Sequence, residues 1–582
     1  MGLRRMRNSL VLLVCITACA RCCRAQQSVV EQARQAFQAG SAAYARGDLT
    51  GARRQFERAV RLAPGIEEGH SALGVVLFGL GDYREAIAEL QIALRMKPGD
   101  RTAEENLAQV YSQTGAPSQA AVLFSRLDRE SPLSGELLAV WARNVAALGS
   151  APEALAIMRR AAVADPQNAA IQDDVGSLYG QAGDWKNAEA AFRDALRLNP
   201  RLASAHMHLG AVLGHEQQVD AAGEEFAQAA QLDPRSARVQ MEWGNALVAA
   251  NEDEQAIRHY QQAAAIDPDL TDAAYQLALA LQRSGRESEA IPLFEKVVAT
   301  RPQDAEALTN LGLALVQTGR AKDAVPLYLR AAALTPQNAT LHQDLGVAYL
   351  QESDVDDAVK EFRAGLKIAP ADPHLHYDLG LALKLKDDLP GAIAELESAL
   401  RLDPQSPDAP YTLGILYMQD GRFEDAVRNL RAALELRPQN GDGWSILGSV
   451  YRQQNKYDDA AAALRKAIEL LPAQPGPHIT LASVLQEQGK QDEAAAERKK
   501  AGELTRVAVN RQRAVFATNA GNALLNKGEI ADAIARYQEA IGSDPNYADA
   551  HRQLALAFAN QGRLSESAAE KQKAEALAAN HP

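Results

Sequence analysis

The residues best suited by type to do chemistry in this 582-residue chain are its eleven histidines, and their spacing speaks against it. His206, His208 and His215, or His374 with His376, are the sets that could start a metal centre. A zinc site needs three or four convergent ligands. The pairs His206/His208 and His374/His376 lie two residues apart, which on a helix sends them to different faces, whereas a shared face needs a spacing of three or four. Six histidines, His70, His206, His342, His376, His478 and His551, instead stand fourth in their own 34-residue repeats, which assigns them to packing. No phosphate-cradling glycine loop, His-Glu-x-x-His helix or Gly-x-Ser-x-Gly elbow is present. The expectation is a chain with no catalytic residues, no metal and no cofactor.

The beat itself fixes the elements. A small residue recurs every 34 positions from Gly40 through Gly74, Ala108 and Gly176 to Ala482. Twelve places later stands alanine, from Ala52 to Ala494, and twelve beyond that proline, from Pro64 to Pro472. Between small residue and proline run two apolar stripes of helical period, such as Leu311 and Leu315, then Ala324, Leu327, Tyr328 and Ala331. Each repeat is therefore a helical hairpin. Its break is usually glycine (Gly47, Gly81, Gly115, Gly183, Gly319, Gly421) and twice asparagine (Asn251, Asn455), residues that enter the left-handed conformation of a helix end. Asp48, Asp82 and Asp184 follow it and suit the N-cap of the second helix. Proline closes that helix because it lacks a donor.

Leu311-Gly312, Ala324, Tyr328, Ala331, Pro336 and their equivalents resemble the tetratricopeptide repeat. The resemblance covers nearly the whole chain: fourteen repeats in unbroken register over 33–508, a five-residue slip at 509–513, and two further repeats over 514–581. It implies an all-α fold, a right-handed superhelical solenoid of stacked antiparallel helix pairs. It also implies that the first helix of each pair lines an inner groove, mainly through its second, fifth, ninth, twelfth and thirteenth places, of which the fifth and ninth are the most telling. Here those places, with flanking polar groups, give Met207, Met241, Tyr275, Leu279, Gln282, Thr309, Leu313, Gln343, Val347, Tyr377, Leu381, Lys384, Tyr411 and Ile415. That is a mostly neutral, apolar strip for burying anchors of a peptide, or else side chains that complete the core. The sixth places hold Asn106, Asp174, Asn310, Asp344, Asp378 and Asn519, a partial version of the asparagine ladder of peptide-gripping relatives; aspartate accepts but cannot donate, so bidentate amide pairing is lost there.

The first 25 residues differ in kind. Arg4, Arg5 and Arg7 precede an apolar run from Leu10 to Ala20, the pattern of an export signal peptide (1–25), and the run is shorter than the ~20 residues of a membrane span. Cleavage after Ala25 removes all four cysteines, Cys15, Cys19, Cys22 and Cys23, and leaves a chain without disulfides. Ile16-Thr17-Ala18-Cys19 offers the alternative of a lipid anchor at Cys19. Either route takes the chain out of the cytoplasm, to a periplasmic or extracellular place or to a membrane-tethered one. Without the leader's five arginines the chain has 56 basic against 74 acidic residues, which repels nucleic acid and anionic lipid. The one basic stretch, Arg498-Lys499-Lys500 with Arg506, Arg511 and Arg513, is interrupted by Glu503 and reads as a solvated helix face.

At the slip, Arg506 takes the place of proline, and no proline occurs from Asp492 to Asn526. Either one long helix runs through, turning the last repeats to face differently as a cap or self-association surface, or a longer loop intervenes. The functional expectation is a non-catalytic scaffold that binds peptide segments or helices of exported protein partners, with no small-molecule substrate. The alternative is an accessory, substrate-selecting subunit for a glycosyltransferase or protease on another chain.

Overall fold

The computed structural model describes residues 29–579; the leader, its cysteines and the Cys19 anchor lie outside these residues. Thirty-one helices and no strand occur among them, in consecutive pairs. By contacts the chain divides after Pro302 into two compact units.

Most pairs share one construction. In many of them the first helix opens on an acceptor side chain at the last place of the preceding repeat: Asp100 accepts from the Ala103 amide, Ser134 from Leu137, Asp304 from Ala307 and Asp372 from Leu375, whereas Ile66, Leu202 and Leu270 at the same place make no side-chain cap. That satisfies one of the four orphan amides of a helix start. The helix ends at a left-handed residue, glycine at Gly81, Gly183, Gly319 and Gly421. The asparagines expected there, Asn251 and Asn455, adopt it too, and so do Gln217, Ser353 and Asp387, all with φ between 58° and 63°. The second helix is capped as expected by Asp48 and Asp184, through Gly51 and Asn187 amides. Asp82 is different: it makes no cap and accepts from Arg53 Nη1 at 2.5 Å instead.

Packing explains the small eighth place. Among the residues the second helix buries are three spaced four and three apart, for example Ala392, Leu396 and Ala399 or Ala358, Phe362 and Gly365. The large middle residue lies across the first helix where a Cβ would stand. A Cβ added to Gly74 would meet Leu90 Cγ at 2.6 Å, and one on Gly312 would meet the Tyr328 ring at 2.7 Å.

The fourth-place histidines have a more specific task than bulk packing. Each points Nδ1 at a glutamate 19 residues on, across the hairpin: His70 at Glu89, His206 at Glu225, His342 at Glu361, His376 at Glu395, His478 at Glu497 and His551 at Glu570, all within 2.5–2.7 Å. In four of them Nε2 lies 2.9–3.2 Å from the carbonyl of the proline six residues back, Pro64, Pro200, Pro370 and Pro545. Where the fourth place is Trp444, the indole N–H donates to the Pro438 carbonyl at 2.9 Å, and the position 19 residues on is Ala463. The ring thus ties the turn between repeats to the second helix of its own pair. Substituting His376→Ala orphans both Glu395 and the Pro370 carbonyl and is expected to cost about 1–3 kcal/mol. The double change His376→Trp with Glu395→Ala, which copies the Trp444 arrangement, is expected to stay within about 1 kcal/mol of the parent in urea denaturation.

Past residue 490 the second helix does not stop. Gln491–Asn526 is one helix of 36 residues, so the long-helix alternative is the one the chain adopts. Its packed face changes along the way, from Ala494 and Ala501 to Ala514, Thr518 and Gly521. At 100° per residue the two stripes lie about 140° apart around the helix.

Candidate functional site

Within each unit the first helices of neighbouring pairs pack on one another, as Glu67–Leu80 does on Arg101–Gln113 and Ala339–Gln351 on Pro373–Leu385, while no two second helices approach as closely. One wall is therefore made of first helices.

In the second unit the ninth places of that wall carry four successive aliphatic residues, Leu313, Val347, Leu381 and Ile415. Leu313 is 37% exposed and the other three are half-buried. Beside them, one turn earlier, runs a polar ladder. The Gln343 side-chain amide donates to Asp378 Oδ2 at 2.7 Å, and the Tyr377 hydroxyl lies 3.5 Å from Thr412 Oγ1. Both bonds join a fifth place to the sixth place of the next first helix, 35 residues on. Thr309 spends its hydroxyl on the Ala305 carbonyl of its own helix at 2.7 Å. Tyr377 and Tyr411 are half-buried against the core, and burial, with the charge of Asp442 adding to it, pushes the Tyr411 hydroxyl up. Lys384 is half-buried at the edge of the aliphatic row. Burial raises Asp378, and it raises Asp344 to about 6.

The first unit presents a different wall. Met207 is 5% exposed and packs with Phe192, Leu209 and Val239, so it is a core residue with little surface to offer. Met241 is half-buried against Ala237, Ala263 and Ala273. Tyr275 meets Phe294 edge-on at 6.0 Å, and Leu279 and Gln282 are half-buried. The fifth-to-sixth bond recurs as Asp173 to His208, at 2.9 Å. Ser204 donates to the other oxygen of Asp173 at 2.7 Å, and Ser177 Oγ is 3.5 Å from His208. Ser177 and Asp173 both face Nδ1 of that ring, so a proton cannot be passed through the imidazole from one to the other, as a nucleophilic triad requires. His215 stacks on Trp185 at 4.0 Å and His374 is exposed; no group of three metal-binding side chains occurs among the described residues.

Of the asparagine ladder, Asn106 donates to its own helix at the Thr102 carbonyl, Asp174 pairs with Arg143 at 3.0 Å, Asp378 accepts from Gln343, and Asn519 is exposed. Sequence reasoning placed these sixth-place residues but missed their partners. For Asp378 the signal was a fifth-place donor 35 positions earlier, and for Asp174 a ninth-place arginine 31 positions earlier.

A wall of packed first helices, each carried on a second helix of the same 34-residue unit, defines a helical-repeat scaffold. Family models agree in detail. Those described as TPR repeat match residues 244–285 and 521–562, those described as tetratricopeptide repeat match 71–134, 176–237 and 272–304, and the C-terminal domain of cilia and flagella-associated protein 70 matches 299–517. The chain belongs to the tetratricopeptide-repeat family, whose members typically bind protein partners and are generally not catalytic. Cellulose synthase operon protein C of Xanthomonas axonopodis pv. citri (strain 306) is 34% identical over 167 residues, 27% of this chain and only 11% of that protein. Among solved structures, the APC/C hetero-tetramer Cut9–Hcn1 is 16% identical, with 84% of this chain and 96% of that chain covered and a TM-score of 0.32. MamA is 26% identical over 28% of this chain and 94% of its own, with a TM-score of 0.27, and Pseudomonas aeruginosa PilF is 22% identical over 36% and 94%, with a TM-score of 0.32. No described helix is long and apolar enough to cross a membrane.

Proposed function

We propose that the chain is a non-catalytic scaffold that holds extended peptide segments of exported proteins against the first-helix wall of its second unit. The observation that carries this reading is the unbroken aliphatic row Leu313, Val347, Leu381 and Ile415 beside the Gln343–Asp378 and Tyr377–Thr412 ladder. Packed helices stand roughly 8–10 Å apart, and three residues of an extended chain span about 10 Å. A peptide lying across the wall therefore offers an apolar side chain to each helix with every third residue, while its backbone groups meet the polar ladder. Export rests on the basic and apolar leader. The likeness to a cellulose synthase operon protein favours, as a second reading, service to a polysaccharide-synthesising enzyme on another chain.

Photocrosslinking in intact cells tests it, with probes at Tyr377 and, in the first unit, Tyr275, and with the exposed second-helix residue Arg363 as control. The expected result is a discrete protein captured from Tyr377, lost when Val347 and Leu381 are both changed to glutamate, and not captured from Arg363. Equal capture from Arg363, or capture that survives the double change, overturns the groove. A polysaccharide synthase copurifying through the intact wall selects the second reading.

A further inference from the structure

The long helix Gln491–Asn526 carries a surface that neither of its packed faces uses. Lys499, Gly502, Arg506, Val509, Arg513, Phe516 and Ala520 follow one another at alternating steps of three and four, which places them on one stripe of the helix, and all seven are exposed. Phe516 is 66% exposed and Val509 42%. The basic and apolar members alternate: a cation at every seventh residue from Lys499, and between them Gly502, Val509 and Phe516. Neighbouring Arg511 is already committed, paired with Asp544 and lying over the Tyr547 ring, whereas Lys499, Arg506 and Arg513 have no ion pair among the described residues. Residues at this spacing stay on one line along the helix, so a second helix laid along this seam meets all of them.

We infer that this seam docks an acidic amphipathic helix of a partner protein, with carboxylates facing Lys499, Arg506 and Arg513 and apolar residues closing over Val509 and Phe516. Charge decides the occupant. Residues 498–513 hold six basic residues and one acidic in a chain of net charge −13, so the seam is a local positive stripe on a negative body. A second copy bound seam to seam is disfavoured, because it would bring six cations together on a stripe that holds no carboxylate. A membrane is disfavoured because the body repels anionic lipid and only two large apolar side chains are available for insertion. Lys499 to Ala520 spans about 33 Å at 1.5 Å per residue, room for a partner helix of about six turns. This surface is separate from the first-helix wall, and its fate does not depend on that of the groove.

The test is fluorescence anisotropy of the full chain with a designed helical peptide of about 21 residues that repeats leucine and glutamate at heptad positions. A scrambled peptide of equal composition and a lysine-for-glutamate version serve as controls. The heptad peptide is expected to bind, and to weaken about tenfold or more with Arg506→Glu/Arg513→Glu and with Phe516→Ser, but not with Lys322→Glu on a distant surface. Circular dichroism checks that each variant keeps its helices. Equal binding of the scrambled peptide, or binding indifferent to the seam variants, overturns the proposal. So does a dimer in light scattering that the double variant dissolves, which assigns the seam to a second copy, or flotation with phosphatidylglycerol vesicles that the same variant abolishes, which assigns it to a membrane.

Discussion

Replacing Gly346 by valine is expected to cost about 3 kcal/mol or more and to uncouple the pair that contains it from its neighbours. A Cβ at this position would stand 2.4 Å from Phe362 Cε1 and 2.7 Å from two further ring carbons, and the ring is fully buried. The phenylalanine has little room to swing away, because it shares a buried cluster with Leu375 and Leu379 of the following first helix. Alanine at the same place should cost less. Ala108 with Phe124 and Ala278 with Phe294 show that this pairing of sizes folds elsewhere in the chain, where the helices have settled around the extra methyl. Urea denaturation with hydrogen exchange read over 339–368 checks the expectation: loss of protection should centre on this pair and the ones packed on it. Adding Phe362→Leu, the pairing that Gly380 and Leu396 use, should recover part of the loss. A valine variant within about 0.5 kcal/mol of the parent would show that the helix spacing yields, and that the small eighth place is not a steric requirement.

How far the sequence reveals this molecule depends on where a residue's partner lies. Helix pairs, glycine ends and the small eighth place are local patterns, and the 34-residue beat repeats them often enough to be read without a structure. The side-chain networks are not local. His376 finds Glu395 across its own hairpin, and Gln343 finds Asp378 one repeat and one residue further on, separations that the period of a single helix does not report. They are nevertheless written in the chain: every histidine at the fourth place has a glutamate 19 residues later, and Trp444, which needs no carboxylate, has Ala463. Left-handed ends at Gln217, Ser353 and Asp387 were hidden for another reason. Their conformation lets the next amide reach back to close the helix end, as Gln218 does to the Leu213 carbonyl and Asp354 to that of Tyr349, and at about 1 kcal/mol the local preference against it is smaller than what the packed hairpin gains. Met207 shows the limit of position-based site reading. Its place in the repeat matches that of Tyr377, yet Phe192, Leu209 and Val239 enclose it, and no pattern along one helix distinguishes the two. The slip at 509–513 left helix and loop equally open. What decides for the helix is that both halves find a face to pack, Ala494 and Ala501 on one side and Ala514, Thr518 and Gly521 on the other.

Asp344→Asn is expected to stabilise the protein by about 1–2 kcal/mol near neutral pH and to change nothing near pH 3.5. The carboxyl sits at the sixth place of the wall beside the buried Tyr328, and burial raises it to about 6. An acid whose folded value lies above its unfolded value of about 3.9 binds more protons folded than unfolded between those limits, so stability falls as pH rises from about 4 to 6 and stays low above. Holding such a carboxylate charged in the folded chain at neutral pH costs about 3 kcal/mol at most, and partial exposure reduces that to the figure above. Asparagine removes the charge that must be buried while keeping the shape, and the gain should therefore appear only above the window. Asp378→Asn is the comparison: burial raises that carboxyl as well, but Gln343 donates to it, so less is recovered when its charge is removed. Urea midpoints measured between pH 3.5 and 8 decide the matter. Equal gains at both ends of the range would mean that the amide improves packing rather than relieving a buried charge, and no gain at neutral pH would mean that solvent already reaches the Asp344 carboxylate through the open side of the wall.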